Sequence, residues 1–342
     1  MKYTRLGNTG TIISVLGLGT MTFGEKDLSK LGTVPMDIAN KLVKKAYDAG
    51  INLYDTADVY EGGRAEEILG EAVKPFRNQI IIATKVRGKT GSGLNDVGLS
   101  KVHIFNSIKA SLRRLGTDYV DLYQFHGWDT ITPIEESMEA MEQLIRDGKV
   151  IYPGVSNFAA WQMAYLQGMV KSKGYTTYVS AQMNYSLLNR DIEYEVVPFL
   201  KHSKMTLLVW SPLHGGVLSG KYTDIEKPPP DSRLARRGRL FPYFEKEQLP
   251  PILKKLNEIG KETGATPAQV AIAWILSKGA VVLIGARTVE QLEENIEAAD
   301  VNLKPSQIKE LDELTEPRSM YPNWMIERQN AERVPKEFVE PF

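Results

Sequence analysis

At 342 residues, with 42% apolar and 25% charged side chains, the chain has the composition of an ordinary soluble globular protein and the length of one large domain or two smaller ones. Lys plus Arg and Asp plus Glu number 42 each, so the net charge calls for neither nucleic acid nor an anionic membrane as partner. The absence of cysteine excludes disulfides, thiolate catalysis and cysteine-held zinc.

The opening "MKYTRLGNTGTIIS" has no long apolar run of the signal-peptide kind, and no later run reaches the length of a membrane span, so a cytoplasmic protein is expected. Residues 1–15 read as a small hairpin, turning at Asn8-Thr9-Gly10 and capping one end of the main fold. "LGLG" (16–19) is then a short strand, followed by a helix near 36–48. "INLYD" (51–55) precedes the helical "RAEEILGEAVKP", with Gly62 and Gly63 as the turn between them. "QIIIATK" (79–85) precedes a helix over about 100–115, where Ile104, Ile108, Leu112 and Leu115 share a face and Ser100 is the N-cap. "YVDLYQFH" (119–126) precedes 134–147, "VIYPGVSN" (150–157) precedes 159–172, and "YVSAQMNY" (178–185) precedes 192–203. "MTLLVW" (205–210) runs into a long irregular segment before the helical "TPAQVAIAWILSKG" (266–279). The last strand, "AVVLIGA" (280–286), leads into "TVEQLEENIEAA".

Eight strand–helix units without a linker predict a closed (β/α)8 barrel, a TIM barrel, rather than an open sheet. The Pro-rich "IEKPPPDSR" falls inside a strand-to-helix loop, so residues 1–342 are expected to form one domain. Two segments exceed ordinary loop length, 211–245 and 316–342. Such segments are commonly functional covers, the first here over a cofactor and the second beside a substrate. A local basic cluster, "RLARRGRL", lies in the first.

Active sites of this fold lie at the C-terminal ends of the strands. There the second strand ends at Asp55, the third at Lys85 and the fourth at His126, with Tyr60 just past the second. Taken singly, Asp55 could cap a turn, Lys85 could be a solvated strand end, His126 a satisfied core histidine and Tyr60 a packing residue. Taken together, polar groups closing three successive apolar strands point to chemistry. An unpaired carboxylate there would cost several kcal/mol, so Asp55 needs a cation.

"YDTADVYEGGRAEEILG", "IIATK", "YVDLYQFH", "GVSNF" and "GARTVEQLEEN", in that order, resemble the signatures of the aldo-keto reductase superfamily over nearly the whole chain. The loop spacing is closer to the microbial and potassium-channel-β-like branch than to the aldose reductase branch. The resemblance implies reduction of a small-molecule aldehyde or ketone with NADP(H) and without metal, by a tetrad of Asp55, Tyr60, Lys85 and His126. Tyr60 would be the general acid, Lys85 would lower its pKa from about 10, and Asp55 would keep Lys85 charged. His126 would hold the carbonyl oxygen. The resemblance also leaves a second reading, a channel-β-like regulatory subunit that holds cofactor and turns over slowly. Oligomeric state is not legible.

No G-x-G-x-x-G follows a strand, since "GLGTMTFG" has the wrong spacing, which argues against a Rossmann site. "GGVLSGKY" imitates a P-loop, but Tyr222 stands where magnesium needs Ser or Thr. By resemblance, Ser156, Asn157 and Gln182 hold the nicotinamide carboxamide and the ring stacks on Trp210. Ser211, Pro212, Leu213, Gly215 and Lys221 follow the pyrophosphate. Gly285, Arg287, Gln291, Glu294 and Asn295 match the adenosine end, and Gly19, Thr20, Met21 and Asp55 the first loops. Gln291 and Asn295 read alternatively as a solvated helix face. A guanidinium suits a phosphate monoester, so Arg287 favours NADP over NAD. The substrate pocket is expected between Phe23, Tyr60, His126, Trp128 and the tail "MYPNWMIERQN", although Trp128 and Trp324 read equally well as packing. Tyr152-Pro153 departs from the family pattern and is expected to reshape the start of the fifth strand.

Overall fold

A computed structural model describes residues 1–28, 33–222, 227–230, 232–237 and 241–333. Tyr3–Arg5 (β1) and Ile12–Ser14 (β2) pair antiparallel as the expected hairpin. Its connection is wider than Asn8-Thr9-Gly10, because the Leu6 amide reaches back to the Thr11 carbonyl at 2.9 Å and the Thr9 hydroxyl to Leu6 O at 2.7 Å. This wider loop lets Leu6 turn inward. Leu6 and Ile13 join Leu53, Ala83, Leu122, Leu208 and Leu283 in an apolar cluster that stoppers one end of the barrel.

The remaining strands are Leu16–Gly19 (β3), Leu53–Asp55 (β4), Ile81–Val86 (β5), Val120–Phe125 (β6), Val150–Ser156 (β7), Ser180–Asn184 (β8), Thr206–Trp210 (β9) and Val281–Ile284 (β10). All pair in parallel, and β10 closes on β3 to complete the (β/α)8 barrel. These strands read as nearly continuous apolar runs because both faces are covered, the outer one by helices. β7 runs unbroken through Tyr152 and Pro153, which oppose Leu122 and Tyr123, so the expected reshaping of that strand does not occur.

Helices Met36–Asp48 (α1), Arg64–Val73 (α2), Lys101–Leu115 (α3), Ile134–Arg146 (α4), Ala160–Ser172 (α5) and Val196–Ser203 (α6) follow the first six barrel strands. Ser100 caps α3 as expected, accepting from the His103 amide. Arg233–Arg237 (α7) interrupts the long segment after β9, part of which, with Gly238–Leu240 of the basic cluster, lies outside the described residues. Leu249–Thr263 (α8) is an addition to the expected elements, opening on Leu249-Pro250-Pro251. Proline is compatible with a first helical turn, and Ile252, Leu256 and Ile259 then bury one face. Pro267–Ser277 (α9) and Val289–Glu297 (α10) flank β10. Pro305–Leu314 (α11) and Asn323–Arg333 (α12) lie in the C-terminal part, and the end of the expected tail, 334–342, falls outside the described residues. No helix among the described residues is long and apolar enough to cross a membrane.

Strand alternation decides which polar residues face inward. On β4, Leu53 joins the inner apolar cluster and Tyr54 the outer one, which leaves Asp55 pointing in above Leu53. On β5, Ala83 is inward, and so is Lys85 two residues on. In register, Asp55 opposes Ala83, while Lys85, the next inward residue of β5, opposes Gln124, so these groups gather in the barrel mouth.

Candidate active site

Asp55 and Lys85 meet where the two strands end. The Lys85 ammonium is fully buried and lies 2.5 Å from Asp55 Oδ1. Its other contacts are the Thr56 carbonyl at 2.7 Å and the Tyr60 hydroxyl at 3.2 Å. A buried ammonium costs several kcal/mol unless its donors are met, and here all three are. Asp55 Oδ2 receives the amide groups of Gln182 at 2.7 Å and Gln124 at 3.3 Å. Gln124 escaped the sequence reading. Its signal was parity, two residues before His126 on one strand, but the register that sets it beside Lys85 is not written in either strand alone.

Burial pushes the Tyr60 phenol above its ordinary value, outweighing the downward pull of the Lys85 charge and hydrogen bond, and Asp55 adds to the rise. The expected net lowering by Lys85 is therefore reversed, because the phenol loses more in desolvation than one ammonium returns. For Lys85, burial is the largest influence and acts downward, yet Asp55 and Tyr60 together hold its pKa above the usual value. His126 lies edge-on to Tyr60, with ring centroids 5.9 Å apart. Burial, with Lys85 and Arg87 nearby, lowers His126 to about 3, so its imidazole is neutral at neutral pH.

Above this group opens a cavity of about 780 Å³. Tyr60 and His126 line it, while Lys85 lies wholly beneath the surface. Each of the cofactor positions expected from the sequence, from Gly19, Thr20 and Met21 round to Glu294 and Asn295, is on its wall. On one side Ser156 Oγ donates to Gln182 O at 2.8 Å. Asn157 donates to His126 O at 3.0 Å and accepts from the Trp210 indole at 3.1 Å. On the far side Gln291 and Asn295 are not a solvated face. Gln291 accepts from the Arg287 amide at 3.0 Å and Asn295 donates to Gly285 O at 3.3 Å, which fixes the loop between β10 and α10. The decoy "GGVLSGKY" forms no strand–loop–helix, being mostly a short 3-10 turn, His214–Ser219, with left-handed glycines at 215 and 216.

The expected substrate wall is placed differently. Phe23 is fully buried in the outer core and Trp128 packs on Phe158 and Trp161, at 5.3 and 5.6 Å between centroids. Neither lines the cavity. The described tail also lies elsewhere, tied through Asn323 to Tyr194 O at 2.9 Å and by the Tyr194 hydroxyl to Arg318 O. In their place the cavity is walled by His214, Phe241, Pro242 and Phe244, which were not singled out from the sequence.

The chain fits a dinucleotide in its donor set. Arg287 stands just before α10 and Lys221 just after the glycine-bearing turn, both on the cavity wall, with Ser211, Asn157 and Gln182 as polar side chains beside them. The profile of the Aldo/keto reductase family matches residues 15–316. An uncharacterized oxidoreductase of Bacillus subtilis (strain 168), YrpG, is 37% identical over 92% of this chain and 96% of its own length. Versiconal hemiacetal acetate reductase of Aspergillus parasiticus is 33% identical over 94% and 99%. A putative voltage-gated potassium channel subunit beta of Schizosaccharomyces pombe (strain 972 / ATCC 24843) is 35% identical over 90% and 92%.

Proposed function

The chain belongs to the aldo/keto reductase family of oxidoreductases, and from that premise we propose that it reduces small aldehydes or ketones to alcohols with NADPH, Tyr60 serving as general acid. The observation that carries this reading is the buried line Asp55–Lys85–Tyr60, which ends in a phenol hydroxyl on the cavity wall beside a neutral histidine. The bound nicotinamide supplies the hydride. His126, uncharged, donates a hydrogen bond to the carbonyl oxygen and stabilises charge developing there without competing for the proton. The oxygen then takes on the character of an alkoxide, a base comparable to hydroxide. A phenol is a stronger acid than an alcohol, and the Lys85 charge and hydrogen bond favour its ionised form, so proton transfer from Tyr60 to this oxygen follows the direction of reduction. Lys85 holds the oxygen that becomes phenolate and compensates its charge, and Asp55, steadied by Gln182 and Gln124, holds Lys85.

Ser156, Asn157 and Gln182 would hold the nicotinamide end, Trp210 would face its ring, and Lys221 and the Ser211–Gly215 turn would meet the pyrophosphate. Arg287 would meet a 2′-phosphate and so favour NADPH over NADH. The regulatory, slowly turning subunit is the weaker reading, since the family and its reductase members speak for catalysis. The deciding experiment monitors NADPH and NADH oxidation against sugars, pyridoxal, methylglyoxal and aromatic aldehydes, on the wild type and on Tyr60→Phe, with NADPH affinity measured by fluorescence. The expected result is turnover by the wild type, faster with NADPH, and a loss of about a hundredfold or more in Tyr60→Phe with affinity kept within a few-fold. Wild-type turnover in Tyr60→Phe would sink the acid assignment.

A further inference from the structure

His214 occupies a strained position for a purpose the reaction itself does not explain. It stands in the left-handed region at φ 48°, in the turn after β9, and is 1% exposed. Its ring joins two separate segments of the chain. Nδ1 lies 2.9 Å from Ser186 Oγ, just beyond β8, and Nε2 lies 3.1 Å from the Pro242 carbonyl. A carbonyl only accepts, so Nε2 carries the proton and Nδ1 accepts from the serine hydroxyl. Ser186 Oγ in turn accepts from the Leu188 amide at 3.2 Å, so a lone pair and its proton are both committed. Burial keeps the imidazole neutral, lowering its pKa to about 4, which preserves this tautomer at neutral pH.

The neighbouring contacts repeat the arrangement. Phe244 meets the His214 ring edge-on, with centroids 5.2 Å apart, and Phe241 lies parallel to Trp210 at 6.3 Å. At Gly215 (φ 70°) a Cβ would stand 2.8 Å from the Phe241 carbonyl, so a side chain there would push the 241–244 segment away. Phe241, Pro242 and Phe244 all line the cavity. The segment thus lies along the cleft and is joined to the His214 ring through the Pro242 carbonyl.

We infer that His214 is a positioning residue, a clasp that holds Phe241–Phe244 over the dinucleotide cleft and thereby slows the departure of bound nucleotide. This rests on the proposed reading of the cavity as the NADP(H) site. Two measurements separate the two ideas. Hydrogen exchange on the ligand-free protein reads the clasp alone. In His214→Ala the amide of Gln248, which donates to the Glu245 carbonyl at 3.0 Å at the end of the fastened segment, should exchange about tenfold faster, as the loss of two modest hydrogen bonds implies. His214→Gln, whose amide can still donate and accept, should recover most of the protection. Stopped-flow dissociation of NADP⁺ reads the consequence, with release about tenfold faster in His214→Ala and close to wild type in His214→Gln. Exchange that is unchanged in His214→Ala, or not rescued by His214→Gln, overturns the clasp. Faster exchange with unaltered NADP⁺ release overturns its effect on the nucleotide. Failure of the wild type to bind NADP⁺, with the exchange pattern as expected, overturns the cofactor reading and leaves the fastening itself standing.

Discussion

Asp58 shows how much one side chain can carry when it is buried without a close partner. It is 2% exposed, and neither carboxylate oxygen makes a well-formed hydrogen bond among the described residues. Burial above all, and then the nearby Glu66 charge, raise its pKa from 3.8 to about 8, against the weaker pull of Arg114 and the Val59 amide. The folded chain therefore keeps a proton that the unfolded chain gives up above about pH 4. Stability falls as pH rises from about 4 to about 8, by on the order of 5 kcal/mol in all. Asp58→Asn supplies the same shape without the proton equilibrium. It should gain several kcal/mol at pH 8 and almost nothing at pH 4, read from urea unfolding at both values; equal gains at the two would exclude the explanation. Asp55 is the opposite case, a carboxylate whose every near neighbour is a donor. The sequence offered Asp55 as a turn cap or as the partner of a cation, and the family resemblance named Lys85, which closes the neighbouring strand. The paired glutamines could not all be named, since the register that sets Gln124 beside Lys85 is written in neither strand alone.

Among the elements, α9 is the one whose local sequence is most complete. Thr266 accepts from the Gln269 amide at 3.2 Å while Gln269 accepts from the Thr266 amide at 2.9 Å, and Pro267 opens the first turn. The helix matters beyond itself, because Ala268 and Ile272 form part of the cavity wall. Thr266→Ala should lower stability by about 1 kcal/mol, seen as a reduced thermal midpoint, with Thr266→Ser retaining most of it. α8 carries a regular apolar face, Ile252, Leu256 and Ile259, behind two prolines in its first turn, and was not among the elements expected from the sequence. α12 and the chain before it were expected at the substrate. They dock instead beside Tyr194, because the polar ties of Arg318 and Asn323 lead there. Aromatic content alone does not say which surface an aromatic segment will meet.

For the whole molecule, the buried histidines set a second limit to stability. His214 is held at about 4 and His126 at about 3, both chiefly by burial. Unfolding lets them take up protons near pH 6.5, so their contribution is complete above that value and is lost as pH falls towards 4 and 3. Asp58 changes stability in the other direction across the same range. The two effects together predict a stability maximum near pH 6.5, with Asp58→Asn flattening the alkaline side and, because Asp58 opposes the histidines below pH 6.5, steepening the acid side. Chemical denaturation from pH 4 to pH 9 on both proteins checks this. A wild-type optimum at pH 8 or above would contradict it.

Repetition of short apolar runs and helical faces was enough, in the sequence alone, to specify a closed barrel, because a strand buried on both sides and a helix with one apolar stripe admit few other packings. Polar residues at the strand ends were enough to mark Asp55, Tyr60, Lys85 and His126, since their burial without partners would be too costly for chance. Only the tertiary structure decided the rest. It set Gln124 against Asp55, withdrew Phe23 and Trp128 from the cavity, and brought Ser186, His214 and Pro242 together from three separate stretches of chain. It also reversed the expected direction for Tyr60, because desolvation depends on everything packed around a group, and no local run of sequence contains that sum.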